Sequence, residues 1–191
     1  MIYLFEGGYM RSVLLTLITL VSLSSFADYG VEIGFRQQSG DSSSSTATVM
    51  SQAGLQGGFT ASFPVKDNFN FRTGMLYTQR PLSVEVGTTE TKYNMNYIDF
   101  PITGMYKFEE YAGVFAGLHL SMNFDKSCSS NGGATCSFDS VKSLITPFVV
   151  GVNFKFAPQL GATLYFESTG EVATGLENYR AVGANLIIAL D

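Results

Sequence analysis

Alternation of apolar residues with small or polar ones recurs in eight segments of the chain after residue 28, and few folds tolerate that pattern. Tyr29, Val31, Ile33 and Phe35 alternate with Gly30, Glu32, Gly34 and Arg36. The same period recurs over residues 53–63, 69–78, 98–108, 114–124, 144–156, 160–167 and 182–190. A period of two places successive side chains on opposite faces of a strand. Each segment is close to the roughly 9–11 residues that a tilted membrane strand requires. In the fourth segment Tyr93, Met95 and Tyr97 are odd-numbered, whereas the apolar residues from Ile98 onward are even. This reads as a break in phase and predicts a β-bulge near Tyr97–Ile98. Pro101 in the same segment removes one ladder hydrogen bond.

The composition of the two faces decides which one meets solvent. One face carries Leu, Val, Ile and Phe; the other carries Gly, Asn, Thr and a few charges, with little bulk. A barrel dissolved in water needs the large apolar residues inside, and Gly, Asn and Arg would make a poor core. A membrane barrel needs the reverse. The connections agree with the membrane reading. Lys66–Asn68, Glu109–Glu110 and Ala157–Gln159 are tight turns, whereas 39–51, 84–91, 125–142 and 168–178 are long, polar and rich in Ser, Thr and Gly. Phe63 and Phe69, then Tyr106, Phe108 and Tyr111, then Phe154 and Phe156 cluster beside the short turns, where an aromatic girdle belongs. The expected fold is all-β: an eight-stranded antiparallel up-and-down transmembrane β-barrel with short periplasmic turns and long extracellular loops. A secreted lipocalin-like binding barrel is the water-soluble alternative.

Residues 1–27 read as an address. Arg11 precedes the apolar run Val13–Val21, and Ser25-Phe26-Ala27 fits a small-x-small cleavage site. The expectation is a signal peptide over 1–27, starting at Met1 or Met10, and a barrel domain over 28–191. No later segment holds 18 consecutive apolar residues, so a membrane crossing by the rest of the chain requires a closed barrel. Charged residues make up only 14% of the chain, against about 25% in an average soluble domain, which suits strands packed against lipid. No cluster of Lys and Arg points to nucleic acid. One histidine and two cysteines offer too few ligands for a usual zinc site, so neither a metal nor another cofactor is expected.

Together, the leader, the alternation, the segment Tyr97–Phe108 (YIDFPITGMYKF) and the apolar last strand resemble the small bacterial outer-membrane β-barrel family of OmpA/OmpX-like barrels. The resemblance covers about Asp28 to Asp191. It implies residence in the cell outer membrane of a Gram-negative envelope, contact with outer-membrane lipid and lipopolysaccharide, and insertion by the barrel assembly machinery. A closed small barrel has no open edge that requires a partner, so a monomer is expected.

The non-apolar face supplies the candidate site residues. Glu32, Arg36, Arg72, Asp99, Lys107, His119, Lys155 and Glu167 are read as an interior polar network, because isolated charge inside a narrow barrel is costly. Counting from the short-turn end places Glu32 near Arg72 in one layer, and Asp99, His119, Glu167 and Arg36 in a higher one. An eight-stranded interior is just filled by side chains, so this network reads as a polar plug. Cys128 and Cys136 bound the segment SCSSNGGATCS, and an exported chain meets an oxidising compartment, so a loop disulfide is expected. His119 and Ser121, two apart on one face, suggest a different chemistry and resemble the His-x-Ser of outer-membrane lipid A deacylases. The favoured class is a non-enzymatic integral protein with a structural or surface-interaction, adhesion-type role. A lipid-modifying enzyme using His119 and Ser121 is the alternative, and a small-solute pore a third.

Overall fold

The structure, a computed structural model, describes residues 28–131, 141–173 and 175–190. The expected leader and Cys136, the cysteine expected to pair with Cys128, lie outside the described residues. Among the described residues the chain forms β1 (Asp28–Ser42), β2 (Ala47–Met50), β3 (Gln52–Lys66), β4 (Phe69–Gln79), β5 (Leu82–Val86), β6 (Thr89–Glu109), β7 (Ala112–Ser130), β8 (Leu144–Ile145), β9 (Phe148–Ala157), β10 (Leu160–Thr169) and β11 (Leu176–Leu190).

Eight of these strands close a ring in the order β1-β3-β4-β6-β7-β9-β10-β11, and every neighbouring pair is antiparallel. The seam is the β1–β11 pair, which runs from Tyr29↔Leu190 to Ser42↔Leu176. The fold is therefore an antiparallel up-and-down barrel. The alternation of the sequence is satisfied by an inverted interior. Ile33, Phe35, Leu55, Phe59, Ile102, Leu118, Leu164 and Val182 are exposed on the outside, while Glu32, Arg36, Gln56, Arg72, Asp99, His119 and Glu167 are buried inside. The lipocalin-like alternative requires the opposite arrangement and does not hold.

Several connections are shorter than the sequence suggests. The expected loop over 84–91 is largely a hairpin between β5 and β6, turning at Gly87, whose φ of 61° favours glycine. Strands β1 and β7 run on to Ser42 and Ser130, so β2, β5 and the outer ends of β6 and β7 form a strand crown beyond the ring. On the seam to β7, the expected strand over 144–156 breaks into β8 and β9 at Thr146–Pro147, where Pro147 offers no N–H; its carbonyl still accepts from the His119 amide at 2.9 Å.

The expected bulge at Tyr97–Ile98 lies across the ladder. The register shifts where Asn96 pairs with Asp125 and Tyr97 with Asn123, so the extra residue is Phe124 of β7. β6 keeps its phase here: Met95, Tyr97, Asp99, Pro101 and Thr103 are all buried on one face. The change in the sequence is one of environment. Above Asp99 the interior turns apolar, with Leu82, Met95, Tyr97, Ile145, Val172, Leu176, Tyr179 and Ala181 in one buried cluster.

Candidate functional site

The lumen holds two layers of buried charge. Nearer the short turns, Glu32 accepts a hydrogen bond from the Arg72 guanidinium, from Thr60 Oγ1 at 2.8 Å and from Asn185 Nδ2 at 3.1 Å. Arg72 also lies over the Phe115 ring, 5.0 Å from its centroid. Gln56 extends this layer: it accepts from Tyr165 OH at 2.8 Å and from Asn185 Nδ2 at 3.0 Å. Tyr165 fits because its ring occupies the space over Gly183, where an added Cβ would fall 2.3 Å from Tyr165 Cζ.

The upper layer is a quartet of two arginines and two carboxylates, each fully buried. Arg36 donates to Glu167 through Nη2 at 2.7 Å and Nη1 at 3.2 Å, and its Nε reaches Gln38 Oε1 at 3.1 Å. Arg80 donates to Asp99 Oδ2 at 2.8 Å, to Ser121 Oγ at 3.2 Å and to Glu167 Oε1. The guanidinium of Arg80 also faces the rings of Tyr97 and Tyr179, at 5.2 and 5.7 Å. Tyr179 OH in turn donates to Gln38 Oε1 at 3.0 Å. The apolar cluster lies directly above, so these ion pairs sit away from water, where each is stronger and each unpaired charge more costly.

Of the residues singled out from sequence, Glu32 and Arg72 meet in the lower layer, and Arg36, Asp99 and Glu167 in the upper. His119 is buried beside the upper layer, with Nδ1 at 3.7 Å from Glu167 and 3.8 Å from Asp99, too far for a hydrogen bond. Lys107 and Lys155 belong to neither layer. Lys107 is half-exposed at the short-turn mouth and pairs with Asp28 at 3.1 Å; Lys155 is exposed near the turn after β9. Long flexible stems let both amines reach water, which burial would deny them. Sequence reasoning missed Arg80, which stands beside Pro81 and looks like a turn residue. Its amide still donates to Met95 O at 2.7 Å, so it continues the inward parity of Asn70, Arg72, Leu76 and Thr78. Extending that parity two residues would have found it. The same extension finds Gln38 from Arg36.

Two chemical readings can be weighed on this geometry. Ligating atoms of Asp99, His119 and Glu167 lie within 4.8 Å of one another. Arg80 already binds both carboxylates, and the quartet balances two cations with two anions. A divalent ion would have to displace Arg80 and leave surplus buried charge. Ser121 and His119 share the inward face; Ser121 is fully buried, His119 is 4% exposed, and Ser121 Oγ is held by Arg80. A lumenal cavity of about 440 Å³ opens at the short-turn mouth and ends at Glu32 and Arg72; neither His119 nor Ser121 lines it.

Over residues 22–178 the sequence matches a family model described as "Outer membrane protein beta-barrel domain". No curated protein matches it. Among solved structures the fold is similar to Neisserial surface protein A, with 19% identity over 85% of this chain and 97% of that one and a TM-score of 0.50. Matches at lower TM-score include Ail, the attachment invasion locus protein of Yersinia pestis (10% identity, 85% and 97% covered, TM-score 0.46), and OprG from Pseudomonas aeruginosa (11%, 85% and 93%, 0.44).

Proposed function

The chain belongs to the outer membrane protein beta-barrel domain family and resides in the bacterial outer membrane, and from that premise we propose that it is a non-enzymatic integral protein with a closed lumen and a surface-interaction, adhesion-type role. The observation that carries this reading is the upper quartet. Arg36, Arg80, Asp99 and Glu167 reach across from β1, the end of β4, β6 and β10 to bond one another, with an apolar cluster above them. A solute crossing the lumen would have to break at least two buried ion pairs. The crown of β2, β5 and the outer ends of β6 and β7 is then the part free to meet other surfaces. Outer-membrane lipid and lipopolysaccharide surround the apolar outer face, and the barrel works as a monomer.

The test uses cells expressing the full chain. Replacing residues 84–91 by a tight turn is expected to reduce binding of those cells to a host-cell or abiotic surface while leaving heat-modifiable gel mobility intact. The purified protein is expected to give no resolved conductance in planar bilayers. Steady single-channel conductance of the unaltered protein would overturn the closed lumen, and undiminished surface binding would overturn the role of the crown. His119→Ala and Ser121→Ala should leave the lipid A acylation profile unchanged; a changed profile would restore the enzymatic alternative.

A further inference from the structure

The outward face carries a chain of hydrogen bonds at one level across four neighbouring strands. Gln79 Oε1 accepts from the Leu55 amide at 3.3 Å, Gln79 Nε2 donates to Tyr77 OH at 3.0 Å, Tyr77 OH donates to Asn96 Oδ1 at 3.1 Å, and Asn96 Nδ2 donates to Asp125 Oδ2 at 2.8 Å. The Phe124 ring, extra in its ladder, packs against the Tyr77 ring with centroids 5.9 Å apart. Resting on the outer-membrane reading, we infer that this ladder is the surface that seats the barrel in the headgroup layer of the outer leaflet, with Tyr77 and Phe124 at the edge of the hydrocarbon.

The chemistry changes abruptly at this level. Below it on β6 the outward side chains are Ile98, Phe100, Ile102 and Tyr106, and on β7 Met122, Leu120, Leu118 and Val114. Polar groups with only each other for partners would be expensive in hydrocarbon and are at home among headgroups. A phenol with its ring toward the chains and its hydroxyl toward water is the usual interfacial arrangement. On three more strands the outward residue also turns polar, at Gln37 on β1, Ser168 on β10 and Arg180 on β11, where Arg180 pairs with Asp41 at 3.4 Å.

The height fits as well. The other edge is aromatic: Phe69, Tyr106, Phe108, Tyr111, Phe154 and Phe156 are exposed around the short turns. From Asn96 to Tyr106 there are ten residue steps on β6. At about 3.3 Å per residue and a tilt of about 45°, they rise roughly 23 Å along the membrane normal, close to the roughly 25 Å apolar band of such barrels. Everything beyond Asn96, including β2 and β5, then stands clear of the hydrocarbon.

The sequence contains no tryptophan, so single-tryptophan variants report depth without background. Phe100→Trp, Phe124→Trp and Glu85→Trp of the full chain would be folded into phosphatidylcholine vesicles brominated either near the carbonyl or deep in the acyl chain. Phe100→Trp is expected to be quenched more by the deep bromines. Phe124→Trp is expected to be quenched more by the shallow ones, and Glu85→Trp by neither. A Phe124→Trp profile as deep as that of Phe100→Trp, or quenching of Glu85→Trp, overturns the boundary while leaving the membrane barrel intact. An unquenched Phe100→Trp overturns the membrane reading itself.

Discussion

Arg80→Met isolates the energetic centre of the lumen. Arg80 binds Asp99 at 2.8 Å and also binds Glu167, and all three side chains are fully buried. Methionine keeps much of the volume and removes the charge. Glu167 retains Arg36 at 2.7 Å, so its loss is partial. Asp99 is left with no arginine and with His119 at 3.8 Å, a distance that makes no hydrogen bond. Removing one partner of a buried pair costs about 3–5 kcal/mol, and the intact Arg36–Glu167 contact places the expected loss near the lower end, about 3 kcal/mol. Adding Asp99→Asn to Arg80→Met removes the stranded charge. The double variant is therefore expected to be more stable than Arg80→Met alone, with a coupling of about 2 kcal/mol between the sites. Arg80→Lys should fall between wild type and Arg80→Met, because one ammonium cannot grip two carboxylates as a planar guanidinium does. Urea midpoints of the folded protein in bilayers, followed by the gel-mobility difference between folded and unfolded forms, would read these four proteins and Asp99→Asn alone, which closes the double-mutant cycle. A loss under about 1 kcal/mol for Arg80→Met, or simple additivity in the double variant, would refute the stranded-charge argument.

Other variants probe other parts of the wall. Gly183→Ala places a methyl group 2.3 Å from the Tyr165 ring and should expel that side chain, breaking its 2.8 Å bond to Gln56; circular dichroism in the aromatic region and a lower urea midpoint would show it. Ile33→Arg puts a charge at mid-height on the lipid face and should destabilise the barrel by about 2–4 kcal/mol in bilayers, measured by the same urea titration. In the loop region, the hydrogen bond and charge of Lys142, 2.8 Å away, hold the half-exposed Glu171 carboxyl below its usual range. A lowered folded value means that the pairing is fully present above the ordinary carboxylate value of 4.5 and is lost as pH falls through the depressed one. Side-chain NMR of Glu171 should therefore report a titration shifted to lower pH, and Lys142→Met should remove most of the shift.

Much of this architecture was legible because alternation fixes which face each side chain takes. Ile33 and Glu32 could be assigned to opposite faces from parity alone, and the structure exposes the one and buries the other. The sequence misleads where one face changes its chemistry along a strand. Met95 and Tyr97 are apolar, and apolar meant outward elsewhere, so they looked out of phase. They are inward because the lumen there is capped by Leu82, Leu176 and Tyr179. The ladder irregularity nearby is real but arises on β7, through Phe124, and strand pairing is not visible in one strand's sequence. Pro81 likewise concealed Arg80, because a proline usually signals the end of a strand.

The vertical order of the interior follows from the same physics. At the short-turn end the lumen opens into a cavity of about 440 Å³, and the exposed amines of Lys107 and Lys155 stand at its mouth. Deeper in, Arg72 and Glu32 need each other as well as Thr60 and Asn185, because fewer water molecules reach them. Deepest lie four fully buried charges, and there every arginine touches a carboxylate and at least one aromatic ring. The apolar cluster then closes the other end. A pore would need the reverse gradient, with charges best solvated at the narrowest level. Here the least solvated level carries the densest charge, and that gradient supports the proposed closed lumen.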